Sequence, residues 1–226
     1  MMPLATPVFW DLETTDRKST CRIVSIGWTL SPTAPKELLV LPLEESTTEA
    51  IRVHGWTRAK LADAGALGIE TQLKAFFASL RHLGPIVLCA HNGKAFDTRV
   101  LRSEMTRAWL TLPPNILGFV DTLHWLRSTV GIRPTNLDHL IEQMGESARS
   151  IHSSGHDAVL LCRIASQYMH THPLSHFETV DAWYARTNGV QETTIEQEVG
   201  RCVDCLLSSV ATRKRRMSPA PVEEQL

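Results

Sequence analysis

The chain has 226 residues, 43% of them hydrophobic and 21% charged, with 23 Lys plus Arg against 24 Asp plus Glu. That composition excludes a disordered polyelectrolyte and a fibrous repeat, and a net charge of −1 excludes a strong long-range field for nucleic acid. No stretch reaches the roughly 18 apolar residues of a membrane span, and the start MMPLATPVFWDLE lacks a basic segment followed by an apolar run, so neither a membrane helix nor a secretory signal is expected.

In chain order, residues 8–13, 21–30 and 37–43 are short runs rich in Val, Ile, Leu or aromatic residues, bounded by Asp, Ser, Thr or Pro. They predict a three-stranded antiparallel meander. Ile69, Leu73, Phe76, Phe77 and Leu80 recur at helical spacing and are stopped by Gly84-Pro85. The uniformly apolar run 86–90 predicts a strand covered on both faces. A helix carrying Phe96, Val100, Leu101 and Met105 inward follows, broken at Leu112-Pro113-Pro114. A strand at 116–120 is then expected, with helices near 122–128, 136–144, 156–170 and 193–212.

Strands first, then alternating strands and helices, imply an α/β fold: a mixed central sheet, antiparallel meander then parallel strands, flanked by helices. One domain is expected over 1–212, followed by a basic tail at 213–226 that reads as disordered. Five cysteines, an odd number with Cys21, Cys89 and Cys162 in apolar surroundings, predict a reduced, intracellular setting, nuclear or cytoplasmic.

Three segments carry the chemistry. In Trp10-Asp11-Leu12-Glu13, strand alternation puts Asp11 and Glu13 on one face and Trp10 and Leu12 on the other. Two adjacent carboxylates repel unless a cation lies between them, although a pair of solvated acids on an edge strand has the same pattern. In Cys89-Ala90-His91-Asn92-Gly93-Lys94-Ala95-Phe96-Asp97, an apolar strand ends at a glycine-containing turn and a helix opens with an acid. Ligands of α/β sheets gather at such carboxyl ends, while a first-turn Asp97 also suits the helix dipole by itself. In Ile151-His152-Ser153-Ser154-Gly155-His156-Asp157, a polar stretch leads into an amphipathic helix. His152, one of 10 histidines, has a pKa range suited to a general base, and its spacing to Asp157 separates it from the others.

The motifs WDLETT, AHNGKAFDTRVL and HSSGHDAVLL, in that order, resemble the three exonuclease motifs of the DEDDh group of DnaQ-like 3′→5′ exonucleases, which includes the three-prime repair exonucleases. Val53-His54-Gly55-Trp56-Thr57 and Val120-Asp121-Thr122-Leu123 are similar to two further family segments, and Ser153 stands where the tyrosine subgroup would differ. A looser similarity extends to the exonuclease-like C-terminal region of the promyelocytic leukaemia protein. The resemblance implies an RNase H-like sheet, Asp11, Glu13, Asp97 and Asp157 as metal ligands, and His152 as the base.

It further implies two Mg²⁺ ions, replaceable by Mn²⁺, which the oxygen donors suit where zinc would need thiolates or more imidazoles. The implied reaction removes nucleoside 5′-monophosphates from nucleic-acid 3′ ends, single-stranded DNA favoured and RNA an alternative. Leu12 and Thr14 would meet the terminal base and 3′ hydroxyl, with His54, Trp56, Asn92 and Phe96 as further contacts. Core packing is the competing role for Phe96. His156, directly beside Asp157, is a second imidazole that could take the base role.

The alternative is a catalytically weak exonuclease fold that serves as a nucleic-acid or protein binding module. Cys202-Val203-Asp204-Cys205, without a second pair, reads as helix packing more than as a zinc or redox site. Arg213 to Arg216 suits a nuclear localisation signal, a phosphate contact or a solvated tail alike. The sequence leaves a homo-oligomer open.

Overall fold

A computed structural model of the protein describes residues 5–187 apart from Ser19, 134–136, 144–151 and Ser175. The meander consists of β1 (Thr6–Thr14), β2 (Ile23–Thr29) and β3 (Lys36–Leu39). Helices α1 (Thr48–His54), α2 (Arg58–Asp63) and α3 (Ile69–Leu80) precede β4 (Ile86–Ala90), α4 (Asp97–Arg107) and β5 (Ile116–Asp121). Then come α5 (Thr122–Trp125), running into a π-helical turn over Leu126–Val130, α6 (Leu137–Gln143), α7 (Ser154–Tyr168), β6 (Glu178–Thr179) and α8 (Val180–Thr187).

The six strands form one sheet in the order β3-β2-β1-β4-β5-β6. β1 pairs antiparallel with β2 and parallel with β4, and β4 pairs parallel with β5, so the sheet is mixed as expected. All seven residues of β2 and all five of β4 are buried, which fits strands covered on both faces.

Each face of the sheet has its own core. Val8, Trp10 and Leu12 of β1 join Phe76 and Leu80 of α3, Leu101 and Met105 of α4, and Trp183 of α8. Phe9 joins Val87, Cys89 and Val120, packed against Trp125, Leu126 and, on α7, Leu161, Cys162 and Ile164. Strand alternation therefore sends Asp11 and Glu13 toward the α7 side. α7 approaches so closely that a Cβ on Gly27 would lie 2.0 Å from the Ser154 carbonyl carbon, so β2 must be bare there.

Several expectations shift. The third strand ends at Leu39 where residues to 43 were expected, and Pro42 cannot donate to a ladder. The helix expected at 156–170 starts at Ser154, because Ser153 caps it by accepting from the His156 amide. The helix expected at 122–128 is four α-helical residues followed by the π turn, closed by Gly131 at φ 83°. Phe96, expected inside the fourth helix, is its N-cap residue. Short α1 and α2 were not anticipated; each is capped by a threonine side chain, Thr47 and Thr57. The helix expected at 193–212, Cys202, Cys205 and the basic tail lie outside the described residues. Among the described residues no helix is long and apolar enough to cross a membrane.

Candidate active site

The polar cluster forms where β1 ends against the start of α7. One ligand atom each from Glu13, His152 and Asp157 lies within 4.8 Å of the other two. Glu13 is 8% and Asp157 3% exposed, so this acidic group is held largely away from bulk water. His152 Nδ1 stands 3.4 Å from Asp157 Oδ2, and its Nε2 stands 3.8 Å from Asp138 Oδ2 on α6. The His152 amide donates to the Val53 carbonyl of α1 at 2.9 Å, which ties the loop ahead of α7 to the segment carrying His54. Asp11 shares the face of Glu13 but starts about 7 Å further back along the strand, outside the 4.8 Å group.

Asp97 arrives from another element. Asn92 adopts a left-handed φ of 58°, which asparagine tolerates, and the turn closes with the Phe96 amide donating to the Asn92 carbonyl at 3.3 Å. That turn delivers Asp97, 4% exposed, to the first turn of α4. Burial pushes its carboxyl up to about 7; its own amide and that of Leu12 oppose this, and the nearby Asp121 adds to it. The Leu12 amide thus places Asp97 at β1, beside the strand residues that flank Glu13. Asp97 also stands outside the 4.8 Å group. Asp121 itself is held as the cap of α5, accepting from the amides of Lys94 at 3.0 Å and His124 at 3.2 Å.

A cavity of about 580 Å³ opens beside Glu13 and His152, lined also by Thr14, Thr47, Arg52 and His54, with Arg17 at its rim. A larger one of about 780 Å³ between α4, α5 and α8 contains none of the five candidate catalytic residues. Its acids are already engaged: Asp121 by the two amides above and Glu178 by Arg186 at 2.7 Å.

The six expected substrate contacts divide. Thr14 and His54 line the smaller cavity. His54 is 4% exposed and committed at both nitrogens: Nδ1 accepts from the Trp56 amide at 3.0 Å, so Nε2 carries the proton toward the Thr14 carbonyl at 3.3 Å. Burial holds its pKa below the ordinary value, which keeps it neutral as a brace between α1 and β1. Leu12 is 6% exposed and sits in the core, leaving little of it to meet a base. Phe96 is half-buried and packs on the same core, the competing role foreseen for it. Asn92 is exposed at its turn and Trp56 is half-buried beside the His54 brace. Residues that sequence reasoning did not single out are Asp138, Arg17, Arg52 and Thr47. The last two belong to or cap α1, whose seven residues are too few to show a helical period.

The donor set is carboxylate oxygens with one imidazole, the hard-ligand chemistry that suits Mg²⁺ or Mn²⁺. A family model described as exonuclease, RNase T, matches residues 8–165, and the chain belongs to that family. Three solved structures of E. coli exonuclease I share the fold. The zinc-bound complex with single-stranded DNA has a TM-score of 0.62 at 20% identity over 75% of this chain and 41% of that one. A complex with a dT13 oligonucleotide gives 0.61, 18%, 73% and 41%, and a structure described as suggesting how processivity is achieved gives 0.60, 18%, 74% and 41%. The chain spans about two fifths of exonuclease I, and the shared body is the RNase H-like mixed sheet with its flanking helices. No curated protein sequence matches the chain.

Proposed function

We propose that this exonuclease is of the DEDDh type and degrades single-stranded DNA from its 3′ end, releasing nucleoside 5′-monophosphates with two Mg²⁺ ions. The observation that carries this reading is the convergence of Glu13, His152 and Asp157 within 4.8 Å at the end of β1, with Asp11 on the same strand face. Asp11, Glu13, Asp97 and Asp157 would hold the ions, and Mn²⁺ would substitute. Bound there, the cations supply Lewis-acid stabilisation of the phosphodiester's developing charge and a more acidic attacking water.

The chain's own residues supply the rest. Asp157 accepts from His152 Nδ1–H and orients the ring, which leaves Nε2 to take the proton of the attacking water. Asp138, 3.8 Å from Nε2, then faces the N–H that forms. The cavity of about 580 Å³ is of a size for one nucleotide. Arg17 and Arg52 on its wall offer guanidinium groups to phosphate or sugar oxygens, and Thr14 offers backbone and hydroxyl contacts. The single-stranded DNA bound by E. coli exonuclease I supports the choice of substrate, and RNA is the competing polymer. Three buried free thiols, Cys21, Cys89 and Cys162, support a reducing intracellular setting, nuclear or cytoplasmic.

The test is digestion of a 5′-labelled single-stranded DNA and its RNA counterpart with Mg²⁺ or with EDTA. A ladder shortening from the 3′ end, with mononucleotides released only when metal is present, is expected. Undiminished cleavage in EDTA would remove the metal mechanism, and binding without cleavage would make the chain a binding module.

A further inference from the structure

We propose that Glu37 of β3 is a positioning residue for this nuclease, acting on His152 and Asp157 through the first turn of α7 without touching substrate. The proposal rests on the catalytic reading above and concerns how that site is held.

Four contacts run from this one carboxylate to the start of α7. Ser154 Oγ donates to Glu37 Oε1 at 2.8 Å, Ser153 Oγ donates to both carboxylate oxygens at 3.3 Å, and the Gly155 amide points at Oε1 from 3.5 Å. Ser154 has a single hydroxyl proton and gives it to Glu37, so the 2.8 Å contact between Ser25 and Ser154 must be a donation from Ser25. The result is a directed chain from β2 through α7 to β3. Ser25 and Ser154 are both fully buried, where unmade hydrogen bonds are costly, so the chain fixes one rotation of the turn.

Steric limits act in the same place. The bare Cα of Gly27 lets the Ser154–Gly155 backbone lie directly on β2, and a Cβ on Gly155 would meet Glu37 Cβ at 3.3 Å. His152 immediately precedes this clamped turn and is tied on its other side by its amide to Val53. Asp157 follows within the same turn, its amide donating to the Ser153 carbonyl at 2.8 Å. Both groups therefore take their position from a short segment pinned at two ends. A carboxylate at this N-terminus also suits the dipole of the 15-residue helix.

A capping role alone would change stability and leave the site's chemistry unmoved, so the test reads the site. In Glu37→Ala, kcat on a single-stranded oligonucleotide should fall about ten-fold, with KM changing less than about two-fold. Affinity for Mn²⁺, titrated by electron paramagnetic resonance without substrate, should weaken as Asp157 moves. Glu37→Gln keeps an acceptor for Ser154 and should recover most of both losses, while Lys36→Ala on the same strand should match wild type. Losses in Glu37→Ala/Ser154→Ala should be less than the product of the single losses. Wild-type kcat and Mn²⁺ affinity in Glu37→Ala, or multiplicative losses in the double variant, would overturn the proposal. If the wild type cleaves no nucleic acid and Glu37→Ala still weakens Mn²⁺ binding, the clamp stands and the nuclease reading falls.

Discussion

The two faces of β1 are buried to a similar degree and have opposite effects on stability. On one face Trp10 and Leu12 are 0% and 6% exposed, and on the other Glu13 is 8% exposed with Asp11 half-buried beside it. Trp10 stacks on Phe76 at 6.4 Å, and Phe76 in turn meets Trp28 edge-on at 5.1 Å, so that face gains apolar burial and ring contacts. The other face removes carboxylates from water and sets them beside Asp157, which costs desolvation and repulsion. Depth of burial therefore does not distinguish core from site. What distinguishes them is whether the buried groups satisfy one another or require something from outside the chain.

The comparison breaks first through activity. Asp11→Ala, Glu13→Ala, Asp157→Ala and His152→Ala should each lower exonuclease turnover by roughly three orders of magnitude or more, measured on a 5′-labelled oligonucleotide. The carboxylate variants should melt in EDTA at or above the wild-type temperature, because a repulsive group has gone. A marked loss of thermal stability in Glu13→Ala would show that this face contributes to folding after all. On the opposite face, Trp10→Ala should cost about 3–5 kcal/mol in chemical denaturation, since it empties a fully buried site. Its remaining folded fraction should keep wild-type turnover. Smaller still, Thr47→Ala removes the hydroxyl that accepts from the Ala50 amide and should cost about 1 kcal/mol. That substitution tests whether α1 matters to the cavity beyond its contribution to stability.

How much of this was legible in the sequence follows from the range of each signal. Periods of two and 3.6 residues revealed β1, β2, β4, β5, α3, α4 and α7, because each has enough residues to repeat its pattern. The run 86–90 was read to its ends, where apolar residues stop abruptly at His91. α1 and α2, with seven and six residues, carry too little period to read and are held by caps and tertiary contacts. In the site, alternation was enough to put Asp11 and Glu13 together, and the acid in the first turn of α7 could be named from its motif. The bracing of His54 by two backbone groups was not legible, because it depends on a residue 40 positions away. Glu37 and Asp138 escaped for the same reason: an exposed acid on a short strand looks like solubility until the fold sets it against α7.

Asp97 sits between the two behaviours, an acid folded in as deeply as the apolar face, and its titration sharpens the comparison. Burial raises its pKa to about 7 from 3.8, so the folded metal-free protein holds a proton that the unfolded chain releases. Stability from this group is complete below pH 3.8 and is lost as pH rises through about 7. His91 runs the other way: burial lowers its pKa to about 4 from 6.5, so its contribution is present above pH 6.5 and lost as pH falls through about 4. Between those limits the two oppose one another, and the net slope of melting temperature against pH in EDTA should be shallow. Asp97→Asn removes one side. The variant should match wild type near pH 4 and melt progressively higher than wild type toward pH 8, by a few degrees at most. A difference between the two proteins that does not change with pH would mean that Asp97 is ionised throughout, already compensated by groups around it.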